Sequence, residues 1–158
     1  MPITSKLTIR RHNLPHWQQG GNVYFITFRS AIGDLSPTER SVVMECIMFS
    51  NAKDYDLLAS VVMPNHVHLL LHPREKTPGI WWDLSDFLKR IKGISARKIN
   101  KMLGTGGKVW QAESFDRIIH DDDELIEKWN YIINNPVKAG LVSKPDEYPY
   151  CFSSHNKW

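Results

Sequence analysis

Apolar and polar positions alternate along Val61-Val62-Met63-Pro64-Asn65-His66-Val67-His68-Leu69-Leu70-Leu71-His72 in a way that fits a strand. Side chains of a strand point to opposite faces in turn. Val67, Leu69 and Leu71 therefore form a core face, and His66, His68 and His72 share the other with Leu70 as their only apolar neighbour. Upstream, Val23-Tyr24-Phe25-Ile26-Thr27-Phe28 is rich in aromatic and β-branched residues and predicts a first strand. A helix follows with Ser36 as its cap, Pro37 at the first helical position and Glu39 completing a capping box. It runs to about residue 51 and buries Val42, Val43, Cys46 and Ile47. A strand over 57–63 folds back through Pro64-Asn65 into the histidine strand, whose paired imidazoles then lie near a sheet end.

Beyond a loop over 73–79, a second helix is expected over 83–103, with Leu84, Phe87, Leu88, Ile91, Ile94, the stem of Lys98 and Met102 on one stripe. Gly104-Thr105-Gly106-Gly107 lacks the Lys-Ser/Thr ending of a phosphate loop and reads as its C-cap. Val109-Trp110-Gln111 is extended, and 115–120 predicts a fourth strand. Asp121-Asp122-Asp123-Glu124 suits the first turn of a third helix, which Pro136 is expected to stop near residue 134. The order is strand, helix, strand, strand, helix, strand and an extra helix. That is the α+β, ferredoxin-like (split βαβ) arrangement: an antiparallel sheet with helices on one face, the other left for a substrate or for the extra helix. Topology alone does not identify a function.

At 158 residues, 42% of them hydrophobic and 6 of them Trp, the chain is expected to form one folded domain over 1–158. Twenty Lys+Arg against 17 Asp+Glu leave a net charge of +3, so local charge carries more information than the total. Lys89, Arg90, Lys92, Arg97, Lys98 and Lys101 follow one another on the second helix with no acid between them. A helix dipole favours cations near its C-terminus, but this run exceeds what the dipole requires and predicts a phosphate-binding face. The arm containing Arg10-Arg11-His12 and Trp17-Gln18-Gln19-Gly20-Gly21 is either a solvated terminus or a nucleic-acid contact. Cys46 and Cys151 read as free thiols of a reducing compartment. With no signal peptide and no apolar run near the ~20 residues of a membrane span, a cytoplasmic, nucleoid-associated protein without membrane contact is expected.

With 7 His in 158 residues, about 0.3 His-x-His pairs arise by chance, so the pair gains its meaning from its strand and from what the chain supplies later. On the third helix Leu125, Ile126, Trp129, Ile132 and Ile133 form one stripe, while Tyr131 and Asn135 fall close together away from it. A phenol with a pKa of about 10 is a poor nucleophile at neutral pH, and a phosphodiester repels attackers. A divalent cation on the phosphate oxygens addresses the second difficulty. Two imidazoles on a strand leave room for a third ligand and for substrate, and the carbonyl oxygen of Asn135 is suited to the same ion.

Met63-Pro64-Asn65-His66-Val67-His68-Leu69-Leu70, together with Tyr131-Ile132-Ile133-Asn134-Asn135-Pro136-Val137-Lys138-Ala139-Gly140-Leu141-Val142, resembles the REP-associated tyrosine transposases, relatives of the single-tyrosine HUH transposases. The resemblance extends through Arg11-His12-Asn13, residues 21–28, Ser95-Ala96-Arg97-Lys98-Ile99-Asn100, Val109-Trp110-Gln111 and Phe115-Asp116-Arg117. It departs slightly at Tyr150-Cys151-Phe152-Ser153-Ser154, where Tyr-x-Trp-Ser-Ser is expected. The resemblance implies cleavage of single-stranded DNA beside hairpins of repetitive extragenic palindromes, with a 5′-phosphotyrosine intermediate and a free 3′-OH. It also implies His66 and His68 as metal ligands, Tyr131 as nucleophile and Asn135 as third ligand. Imidazole affinity alone favours later transition metals, whereas the resemblance, metal availability and hard phosphate oxygens point to Mg2+ or Mn2+. Arg10, Arg11, Arg117 and the basic helix would grip the DNA, bound by a monomer or a homodimer. A non-catalytic nucleic-acid-binding module and a metal phosphodiesterase that uses water are the alternatives.

Overall fold

The computed structural model of the chain describes residues 22–155. Arg10 and Arg11 of the predicted DNA contact lie outside them. In chain order the elements are β1 (Tyr24–Ser30), α1 (Pro37–Ser50), β2 (Tyr55–Val62), β3 (His66–Pro73), β4 (Glu75–Thr77), β5 (Ile80–Trp81), α2 (Leu84–Leu103), β6 (Trp110–Ile118), α3 (Asp122–Lys138), a 3-10 turn (Pro145–Glu147) and β7 (Cys151–Ser153). The main sheet is antiparallel with order β6-β1-β3-β2-β7, the ferredoxin-like order with one strand added at the β2 edge. β4 lies within the loop expected over 73–79 and forms a small hairpin with β5, which follows that loop.

Each face of the sheet carries a core, with most of β6 left exposed. Ile26, Phe28, Val67, Leu69 and Leu71 pack on one side against Val43, Ile47, Phe87, Ile91 and Ile99 of α1 and α2. On the other side Phe25, Ala59, Val61 and Leu70 lie beneath Leu125, Trp129, Ile132 and Ile133 of α3. Leu70 is therefore one member of a second core, and the histidine face is much less polar than the strand pattern alone suggests. α1 begins as expected: the Ser36 hydroxyl accepts from the Glu39 N–H at 3.2 Å and the Glu39 carboxylate from the Ser36 N–H at 2.9 Å. Between β2 and β3 the Met63 N–H donates to the His66 carbonyl at 2.8 Å across Pro64-Asn65, so His66 is the first residue out of the turn.

Two helices depart from expectation. On α2 the buried stripe ends in Ser95 and Ile99, whereas Lys98 and Met102 are exposed. Ser95 tolerates burial because its hydroxyl donates to the Ile91 carbonyl at 2.6 Å and accepts the Trp110 indole N–H at 2.9 Å. α3 continues through Pro136 to Lys138. A proline this close to a helix end removes only one intrahelical donor. The following turn is closed by Ala139 N–H to the Asn135 carbonyl at 3.0 Å and Leu141 N–H to the Pro136 carbonyl at 2.9 Å, with Gly140 at φ 76°. Both cysteines are free thiols, Cys46 buried and Cys151 partly so. Among the described residues no helix is long and apolar enough to cross a membrane.

Candidate active site

Strand register, which follows from packing rather than from local sequence, builds the site. Thr27 of β1 pairs with His68 of β3 on one side and with Phe115 of β6 on the other, while Arg29 pairs with His66. His68 is buried, and its Nδ1 lies 2.7 Å from the Thr27 hydroxyl. The Nδ1 of His66 lies 2.6 Å from Oδ1 of Asn65. With the Asn65 amide oxygen as acceptor, His66 carries its proton on Nδ1 and has its lone pair on Nε2. The Thr27 hydroxyl can accept from Nδ1 of His68, which would leave the lone pair on Nε2, the arrangement in which a ligating imidazole is oriented by a neighbour. The two rings stand 4.7 Å apart between centroids. Burial pushes the pKa of His66 down, helped by the charge on Arg29. Burial, then the charges of His66, Arg29 and Lys128, push His68 down to about 3. Both imidazoles are thus neutral at pH 7 and hold no proton in competition with a cation.

α3 crosses this face. Its N-terminus is fixed by Asp121, whose carboxylate accepts from the Glu124 N–H at 2.8 Å, and Trp129, Ile132 and Ile133 seat it on the sheet. Tyr131 remains 42% exposed. Its ring meets His68 edge-on at 5.3 Å and Phe25 at 6.2 Å, while Phe25 itself stacks on His68 at 5.3 Å. Asn135, expected away from the stripe, is buried at its margin and interacts with His66. Asn134 turns its amide N–H back onto the Asn130 carbonyl at 2.9 Å.

Two buried atoms here have no protein partner, Nε2 of His68 and Oδ1 of Asn135. Leaving such lone pairs unsatisfied is costly. With His66 beside them they form a donor set of two neutral imidazoles and an amide oxygen, which fits a divalent cation with positions left open for substrate. Among the described residues no three His, Cys, Asp or Glu side chains gather into a metal site, so the amide is the third donor available.

An open groove of about 670 Å³ leads to His68 and Tyr131. Phe25, Thr27, Arg29, Glu113, Phe115 and Lys128 line it among others, and the Lys128 Nζ lies 5.1 Å from the centre of the Phe25 ring. Sequence reasoning passed over Arg29, Lys128 and Phe115. The period-two pattern of β1 places Arg29 on the face of Thr27, but only the register brings it beside His66.

The predicted DNA-binding cations divide. Arg90 pairs with the buried carboxylate of Asp54 at 2.8 Å, and Lys92 donates to the Gln111 carbonyl at 2.9 Å and the Ser114 hydroxyl at 3.2 Å. Arg117 is ion-paired with Glu124. Lys89, Arg97, Lys98 and Lys101 are exposed on α2. α2 packs on the sheet face opposite the histidines, so the run does not itself line the site.

The chain is similar to known proteins in sequence and in fold. A protein of Haemophilus influenzae named "Putative REP-associated tyrosine transposase" is 27% identical over 101 residues, which are 61% of this chain and 57% of that protein. The chain thus matches little more than half the length of this curated relative. The solved structure of a REP-associated tyrosine transposase bound to a REP hairpin superposes with a TM-score of 0.67 at 21% identity, covering 87% of this chain and 82% of the other, and shows the same fold. The family model described as "Transposase IS200 like" matches residues 38–135, from the first turn of α1 to Asn135, with both histidines and Tyr131 inside the match. With more than half of its length accounted for in this way, the chain belongs to the IS200-like transposase family.

Proposed function

We propose that the protein cleaves single-stranded DNA next to a REP-like hairpin and rejoins it through a 5′-phosphotyrosine on Tyr131. The observation that carries this reading is the convergence of three features: the partnerless Nε2 of His68, the partnerless Oδ1 of Asn135, and a half-exposed phenol 5.3 Å from the His68 ring. His66, His68 and Asn135 would hold Mg2+ or Mn2+, the amide oxygen and the phosphate oxygens being hard donors suited to such ions. A bound cation withdraws charge from the phosphate and holds it for in-line attack.

The chain's own residues do the rest. Tyr131 gives up its phenolic proton to solvent, and its oxygen forms a bond to phosphorus as the bond to the 3′-oxygen breaks. The 3′-oxygen takes up a proton and leaves as a free 3′-OH, while the 5′-phosphate stays on the tyrosine. Because the ester is retained, a 3′-OH can reverse or redirect the reaction. With one such tyrosine per chain, joining two ends takes two copies or successive turnovers. Exposed Lys89, Arg97, Lys98 and Lys101 supply non-specific phosphate contacts from the opposite face, to DNA that passes around the β6 edge.

The test is to incubate the protein with a hairpin oligonucleotide bearing a single-stranded flank, with Mg2+ or with chelator, and to look for an adduct that survives denaturation. The adduct is expected with metal only, and is lost in Tyr131→Phe. Cleavage surviving that substitution would establish a water-using phosphodiesterase, and tight binding without cleavage a passive module.

A further inference from the structure

Phe115 is 59% exposed on the edge strand β6, in the same cross-strand row as Thr27 and His68 and in the groove that reaches Tyr131. Neither core includes it. Two residues before it, on the same face of the strand, Glu113 is exposed in the groove. Arg29 and Lys128 contribute positive charge to the same groove. A carboxylate in a groove that takes a polyanion is unfavourable wherever it meets phosphate, so its placement calls for a different contact. Beside an exposed aromatic ring, a carboxylate acts as an acceptor for a base edge.

We infer that this groove is a nucleobase subsite next to the scissile phosphate, in which Phe115 stacks on the base and Glu113 accepts a hydrogen bond from its exocyclic amino group. Arg29 and Lys128 then face the phosphates on either side. Adenine, cytosine and guanine carry such an amino group and thymine does not, so the subsite discriminates against thymine. The inference rests on the proposed DNA cleavage and adds to it a position at which the protein reads one base.

The experiment uses the Tyr131→Phe protein, so that the DNA stays intact, and hairpin oligonucleotides in which single flanking nucleotides are made abasic one at a time. At one position removal of the base is expected to weaken binding by about tenfold, the worth of a stacked base. In Phe115→Ala the same abasic change is expected to cost nothing further, and Phe115→Trp restores its cost. At that position thymine binds worse than cytosine or adenine, a preference that disappears in Glu113→Ala. If no position loses its base dependence in Phe115→Ala while the hairpin still binds and the wild-type adduct still forms, the subsite is wrong and the proposed chemistry stands. If the wild-type protein neither binds the hairpin nor forms the adduct, both are wrong. Phe115 is solvent-exposed, so its substitution leaves the fold intact, and an unchanged thermal midpoint verifies this.

Discussion

His68 shows how much of a residue's behaviour comes from its surroundings. Its place on a strand and its spacing from His66 were legible in the sequence. Its orientation and its ring contacts come from Thr27, Phe25 and Tyr131, and its loss of basicity from burial and from the charges of His66, Arg29 and Lys128. A pKa of about 3 in the folded chain has a direct thermodynamic consequence. Above the unfolded value of about 6.5 the ring is neutral in both states and its contribution to stability is constant. As pH falls below that value the unfolded chain takes up the proton and the folded one does not, so stability declines until the folded pKa is reached. The metal-free protein should lose on the order of 2 kcal/mol between pH 7 and pH 5 from this group alone. Denaturant unfolding at the two pH values, with chelator present, measures it, and His68→Gln should flatten the dependence. Thr27→Val removes the oxygen that orients the ring, and should weaken cation binding, read by titration calorimetry, by about tenfold or more. It should also cost about 1–3 kcal/mol of stability, because Nδ1 of a buried ring loses its partner. Asn135 was legible as a candidate from its spacing to Tyr131. Its separation from Asn134 was not, because that depends on how far the helix persists past Pro136.

The elements differ in how openly they are encoded. α1 is announced by Ser36, Pro37 and Glu39, and the capping box forms as written. Ser36→Ala should cost about 1 kcal/mol, measured by denaturant unfolding, and should leave adduct formation unchanged because α1 lies on the far face of the sheet. The end of α3 was not readable in the same way. Proline was expected to stop the helix near residue 134, but so close to the end it removes only one donor, and the helix runs on to Lys138 with Asn135 and Pro136 buried. The stripe of α2 was misplaced at its C-terminal half for a related reason. A buried serine looks polar in sequence, and nothing local reveals that Trp110 will satisfy it.

For the molecule as a whole, the strand order and the two helices on one face could be argued from sequence, as could the apolar stripe of α3 and a free sheet face that could receive it. The sheet residues beneath α3 could not, since they come from separate strands. The basic run on α2 shows the same limit. Arg90 serves the fold by neutralising Asp54, whose side chain is only 6% exposed. Arg90→Met strands that carboxylate and should cost about 2 kcal/mol, reduced from the fully buried case because the arginine is partly in water. Adding Asp54→Asn should recover part of the loss, as a thermal-shift series on the single and double variants would show. Lys89, Arg97 and Lys101 have no such duty, and converting them to Gln should lower hairpin affinity and the steepness of its salt dependence together.

The last strand carries a consequence of a different kind. β7 hydrogen-bonds along β2, and the Trp129 indole reaches from α3 to the Ser153 hydroxyl at 3.0 Å, so the C-terminal segment acts as a clasp on the helix that bears the phenol. A protein truncated after Gly140 would keep every candidate catalytic side chain and still lose the latch that holds them in alignment. Its failure in the adduct assay, while it still bound DNA weakly, would reflect lost alignment, with no reactive group missing.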